Sequence, residues 1–220
     1  PLQNLNFCGE KSMEKSFKEQ LQHLTESIVK MGGLCEECIV NATKRLITGE
    51  EVFEHRAIAL EKEIDECEKY IQMLCIKLML KVPVCEDLKM INTAMTLISA
   101  MEQIGEKGKD IAEICRFLTS DTEYVIILHI AKMADTVSNI VKKAVMSFVL
   151  RDSKMANIII SHDAEVDNLF VTVKSDLLGL FIKDFEKEAE IQESLMIAKY
   201  LERVGDYTVN IAESVIKLMR

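Results

Sequence analysis

Eight carboxylates stand in four pairs at i, i+4: Glu61/Asp65, Glu102/Glu106, Asp163/Asp167 and Glu202/Asp206. On a helix that spacing puts both members of a pair on one face, where like charges repel by roughly a few tenths of a kcal/mol. One such pair is an ordinary solvated helix face. Four of them at matching places ask for a counter-charge, and hard or borderline metal ions with oxygen ligands supply one. All-oxygen donors suit Mg, Mn or Ca, and multinuclear Fe is accommodated as well. Asp110 and Asn210 lie four residues beyond Glu106 and Asp206 and extend the candidate ligand set at its edge. Two alternatives stand beside metal binding: a metal-free helical scaffold whose acids simply face water, and a multinuclear metalloenzyme.

Other chemistries lack residues. None of the four His has a Glu three positions before it, so the Glu-x-x-His of ferritin-like di-iron sites is absent. There is no Ser-His-Asp order, phosphate loop or His-Glu-x-x-His, so no catalytic residues are assigned and the chain does not read as an enzyme. Cys35-Glu36-Glu37-Cys38 has the spacing of a zinc or redox pair but no second pair or nearby His, and it sits inside a helical pattern, which favours packed thiols. The 7 Cys, an odd number scattered through apolar stripes, read as free thiols of a reducing cytosol. With 36 Asp plus Glu against 27 Lys plus Arg, the net charge of −9 argues against nucleic acid. No uncharged apolar run approaches the roughly 20 residues needed to cross a bilayer, so direct membrane insertion is not expected.

The elements that must carry these acids are helices. Only 8 Gly and 2 Pro are present, too few turn residues for a strand-rich fold, which leaves an all-α chain. With residues 1–12 set aside as an N-terminal extension, six helical stretches follow. The first runs from about Met13 to Ile47, the second to about Lys81 before Pro83, and the third from about Glu86 to Leu118. The fourth ends near Arg151-Asp152, the fifth near Lys183-Asp184, and the sixth runs to the C-terminus. Thr48/Glu51 and Ser120/Glu123 have capping-box spacing at two of the boundaries. In the second stretch Phe53, Ala57, Leu60, Ile64, Cys67, Ile71, Leu74 and Leu78 advance in steps of three and four, the seam of an antiparallel bundle.

The pattern repeats. Leu60–Asp65 matches His162–Asp167 at an offset of 102, and Glu102–Glu106 matches Glu202–Asp206 at an offset of 100. A unit of three helices is therefore used twice, over 13–118 and 119–220. If the first turn is centred on Pro83, Asp65 and Glu102 lie 18 and 19 residues from it, and Glu61 and Glu106 lie 22 and 23. At about 1.5 Å per residue both pairs then sit at one height on neighbouring helices. The same holds in the second unit for a turn near Asp184. Gly105 and Gly205 lie between the acids on the seam side, where a close approach of helices is expected to require them.

Leu201–Glu213, with its Glu202-Arg203-Val204-Gly205-Asp206 core, resembles the signature segment of the PhoU family, and the acidic pairs at Glu61/Asp65 and Asp163/Asp167 resemble that family's repeated motif. Pro83-Val84-Cys85-Glu86-Asp87-Leu88-Lys89 is similar to its Pro-x-x-x-Asp-Leu-Arg turn. The likeness covers about Lys15 to the C-terminus. It implies two three-helix bundles side by side, with metal clusters on the repeated acidic surface and Fe, Mn, Mg or Zn as the ion. It further implies a non-enzymatic negative regulator of phosphate uptake and phosphate-starvation signalling. Its partners would be the ATPase subunit of a phosphate ABC transporter and a phosphate-sensing histidine kinase, on the cytoplasmic face of the membrane, and the chain would form a homodimer. Two departures stand out. Glu106 and Asp110 replace the Asp and Asn usual there, and Lys107 and Lys109 bring positive charge to the first cluster. The second half, with Asp206 and Asn210, is expected to be the better site.

Overall fold

The computed structural model describes residues 3–81, 85–118 and 124–220, with side chains from Phe17 onward in the first segment and from Val125 onward in the last. The Pro83 turn, the Ser120/Glu123 capping box and the Cys8 thiol lie outside the described residues. Six α-helices occur among the described residues: α1 Gln3–Thr48, α2 Glu51–Met79, α3 Cys85–Ile114, α4 Tyr124–Val149, α5 Ser153–Lys183 and α6 Glu188–Leu218. Short 3-10 turns at Cys115–Phe117 and Phe185–Lys187 follow α3 and precede α6. No strand occurs among the described residues. The first helix begins ten residues earlier than the apolar pattern predicts and continues through the segment set aside as an extension.

Why the helices end where they do is local chemistry. Gly49 adopts φ +72, the left-handed conformation that lets the chain leave α1. The Thr48/Glu51 capping box does not form. Thr48 is the last residue of α1, and its hydroxyl donates to the Lys44 carbonyl at 2.9 Å. It also accepts the Glu50 N–H at 3.2 Å, while Glu50 occupies the N-cap of α2 without a side-chain bond. The i−4 carbonyl behind Thr48 competes for the hydroxyl that a cap would need. At α5 the cap is sound: Asp152 accepts from the Lys154 and Met155 N–H groups at 2.9 and 3.0 Å, worth about 1 kcal/mol.

Each half is an antiparallel three-helix bundle. The seam residues of α2 are buried apart from half-buried Phe53 and Cys67, and Ile91, Ala94, Ile98 and Met101 of α3 are buried with them. Each large aliphatic removed from water contributes roughly 1.5–3 kcal/mol. The halves join along two antiparallel helix pairs. In the α3–α6 pair, the Lys107 ammonium lies over the Tyr200 ring at 5.0 Å and the Tyr207 hydroxyl donates to Gln103 Oε1 at 3.3 Å. In the α1–α4 pair, Lys142 meets Glu36 at 3.5 Å, and a Cβ placed on Gly32 would stand 2.8 Å from Val145. Lys107 and Tyr207 occupy corresponding repeat positions, as do Gln103 and Arg203, so the join has an approximate two-fold axis between α3 and α6.

Candidate metal site

The acidic pairs ride on α2 and α3 in one half and on α5 and α6 in the other. What fixes their relative height is a glycine contact made in both halves. A Cβ on Gly105 would lie 2.7 Å from Ile64 Cδ1, and one on Gly205 would lie 3.3 Å from Val166 Cγ1. Ile64 corresponds to Val166 and Gly105 to Gly205 under the repeat. The glycines admit the neighbouring helix as close approach demands.

This contact also corrects the expected register. Ile64 opposite Gly105 and Glu61 opposite Lys109 put the symmetric centre of the α2–α3 turn one to two residues beyond Pro83. Along antiparallel helices that shift moves facing residues by about 3–6 Å. Glu102 and Asp65 therefore both lie within electrostatic reach of Glu68, and Glu61 faces Lys109 in place of Glu106. Burial, then Glu102 and Asp65, push the Glu68 carboxyl above the ordinary range, which marks it as a member of the first cluster. Its sequence signal is the i+3 spacing from Asp65, which the i, i+4 pattern passes over.

In the second half Asp163, Asp167, Glu202 and Asp206 come together electrostatically. Burial raises the Asp163 carboxyl, and Asp167 and Glu202 add to the rise. Asp206 is raised by burial, then by Glu202 and Asp163, with Lys199 working against the shift. Lys199 pairs with Glu202 and lies 5.4 Å from the Phe170 ring centroid. No other Lys or Arg within salt-bridge distance of these four acids occurs among the described residues. A cation bound on this face would relieve the repulsion, and Asp163, Asp167, Glu202 and Asp206 would be its ligands. Asn210 lies exposed at the edge, with its backbone carbonyl accepting from Ser214.

The first half is arranged differently. Lys109 Nζ lies 2.6 Å from Glu61 Oε1, and Lys107 Nζ lies 2.7 Å from Asp110 Oδ2 and 3.5 Å from Glu106 Oε2. Glu102 accepts from the Gln103 amide at 2.7 Å. Three of the five first-half candidates are thus already ion-paired, so this cluster fits a metal ion poorly. Among the described residues, no three carboxylate, imidazole or thiol groups stand together closely enough to hold a metal ion in either half. The acids of the second half form an open face.

The remaining reactive groups are structural. Cys35 and Cys38 are wholly buried, and their thiols donate to the Met101 and Ala57 carbonyls at 3.2 and 3.5 Å. Burial pushes Cys38 up to about 12, which disfavours a thiolate there. The described cysteines are free thiols. A groove of about 400 Å³ on α1 and α2 is lined by His23, Lys30, Glu63, Cys67 and Tyr70, whose hydroxyl lies 2.7 Å from His23 Nε2. Among the described residues no helix is long and apolar enough to cross a membrane.

Known proteins share this fold. The chain is 29% identical over 207 residues to a phosphate-specific transport system accessory protein PhoU homolog of Clostridium acetobutylicum, covering 93% of this chain and 94% of the relative. It is 25% identical over 213 residues to the homolog of Pseudomonas aeruginosa, covering 94% and 87%. The crystal structure of PhoU from Pseudomonas aeruginosa superposes with a TM-score of 0.84 at 25% identity, over 92% of this chain and 98% of that one. PhoU from Streptococcus pneumoniae, at 23% identity, also superposes with a TM-score of 0.84, over 92% and 96%, and shows the fold. The PhoU domain model matches residues 28–115 and 130–215, one match to each three-helix half. The chain belongs to the PhoU family.

Proposed function

We propose that this protein is a metal-binding accessory regulator of phosphate transport, acting by docking and not by catalysis. Support for the phosphate role comes from the relatives, which carry the name phosphate-specific transport system accessory protein. The observation that carries the metal reading is the second-half cluster, where burial and neighbouring acids raise Asp163 and Asp206, with Lys199 paired to Glu202. Fe, Mn or Mg, or else Zn, would neutralise this face and set the charge it presents to partners. On this reading the partners are the ATPase subunit of the phosphate ABC transporter and a phosphate-sensing histidine kinase. The protein is cytoplasmic, reaches the membrane through those partners, and pairs with a second copy of itself.

Elemental analysis and thermal melts with Mn²⁺, Fe³⁺ or Mg²⁺ test the metal reading. Wild type is expected to retain metal and gain thermal stability from it, and both are lost when Asp163, Asp167, Glu202 and Asp206 become Ala. A wild type without bound metal and without a shift overturns it. The regulatory reading predicts that deleting the gene derepresses alkaline phosphatase in high phosphate. Unchanged expression counts against that role.

A further inference from the structure

We propose that the first-half cluster is closed by the chain's own lysines in place of a metal ion, so that metal loads on the second half alone. This rests on the metal reading above. The two clusters carry one repeated motif, and two of their differences bring positive charge to the first. Lys107 and Lys109 stand where the second half has Tyr207 and Val209, at the offset of 100.

The geometry gives these lysines the place of a bound cation. Lys109 Nζ reaches from α3 to α2 and lies 2.6 Å from Glu61 Oε1, with the side chains 26% and 14% exposed. Lys107 is 10% exposed at its side chain, lies 2.7 Å from Asp110 and 3.5 Å from Glu106, and is held from the opposite side by the Tyr200 ring at 5.0 Å. A divalent ion at Glu61 and Glu106 would sit within a few Å of two ammonium groups, where repulsion grows with the product of the charges. Both lysines are half-buried or buried, so water screens this repulsion less than at an open surface. Asp65, Glu68 and Glu102 remain one turn away. Glu102 is engaged by the Gln103 amide.

The test is bound metal per chain after equilibrium dialysis of the purified full chain against Mn²⁺, read beside Mn²⁺-induced changes in Tm. Wild-type metal is expected to vanish in D163N/D206N and to stay unchanged in E61Q/E106Q and in E68Q. K107Q/K109Q is expected to bind about twice as much metal as wild type, with the increment removed by adding E61Q/E106Q. Its metal-free Tm should fall below that of wild type and recover with Mn²⁺. If the double variant does not fold, K109Q is expected to bind more metal than wild type but less than twice as much, because Lys107 stays paired with Asp110 and Glu106. Metal retained in D163N/D206N, metal lost in E61Q/E106Q or E68Q, or no added metal in the lysine variants overturns the proposal. A wild type that binds no metal while K107Q/K109Q binds it sinks the second-half site and leaves the lysine closure standing.

Discussion

Ile64 packs its Cδ1 where the Cβ of any residue but glycine at position 105 would come within 2.7 Å. The contact sets the register on which the whole first cluster depends. G105A adds a methyl where Ile64, stiff at its branched Cβ, also places Cγ2 at 3.1 Å. Overpacking costs about 1–3 kcal/mol, partly offset by roughly 1 kcal/mol from the better helix propensity of Ala. Urea denaturation should show G105A less stable than wild type by about 1 kcal/mol. G205A, facing Val166 at 3.3 Å, should be neutral or slightly stabilising. Equal losses in the two variants would mean that the halves are packed alike.

A second expectation concerns pH. Asp163 and Asp206 are held above the ordinary carboxylate range by burial and by neighbouring acids. The folded state therefore binds more protons than the unfolded state between the two pKa values, and stability falls as pH rises through that window. In metal-free protein, D163N/D206N should raise Tm near pH 7, and the gain should shrink toward pH 4. A gain of the same size at both pH values would assign it to something other than ionisation.

Glu54 predicts the opposite sign. It is 3% exposed, with Arg45 Nε at 3.4 Å and Arg116 against its other oxygen. Burial pushes its carboxyl up, and the two guanidinium groups more than offset that and hold it below the ordinary range. Its stabilisation is present above the unfolded pKa and is lost as pH falls through the folded one. E54Q leaves Arg45, itself 9% exposed, without a counter-ion and should cost about 3 kcal/mol at pH 7. R116A should cost less, because that side chain is half exposed. Chemical denaturation of both variants at pH 7 and pH 4 distinguishes the two effects.

Thiol labelling should follow burial. Cys85 is exposed, whereas Cys35, Cys38, Cys75 and Cys115 are buried, with burial pushing Cys75 up to about 11 and Cys38 and Cys115 up to about 12. Native protein treated with a maleimide should modify Cys85 well before those four, as read by peptide mass spectrometry. Early labelling of Cys35 or Cys38 would show that the α1–α3 seam opens readily.

Much of this was legible in residue order. The steps of three and four in α2 become its buried seam, and the two offsets become two superposable bundles with the same glycine contact. The register was less legible, because it depends on the centre of a turn near Pro83 that spacing locates only to a residue or two. Each residue of error there moves facing partners by about 3 Å. That is why the Lys109–Glu61 pair and the Glu68–Glu102 proximity emerge only in three dimensions: which long side chains meet is decided by height. Glu54 and Arg45 were within reach of the sequence. They lie at equal distances from the Gly49-Glu50 turn, a placement that makes neighbours of oppositely charged residues on an antiparallel helix pair.

The approximate two-fold axis between α3 and α6 describes a contact in which each half offers the same surface to the other. Two separate copies of a three-helix chain could meet in that way, but any lysine gained by one would then be gained by both. Joining the copies in a single polypeptide removes that constraint. Lys107 and Lys109 could arise on one side of the axis while Tyr207 and Val209 stood on the other. Covalent linkage thus lets the two halves keep one contact surface while carrying different charge.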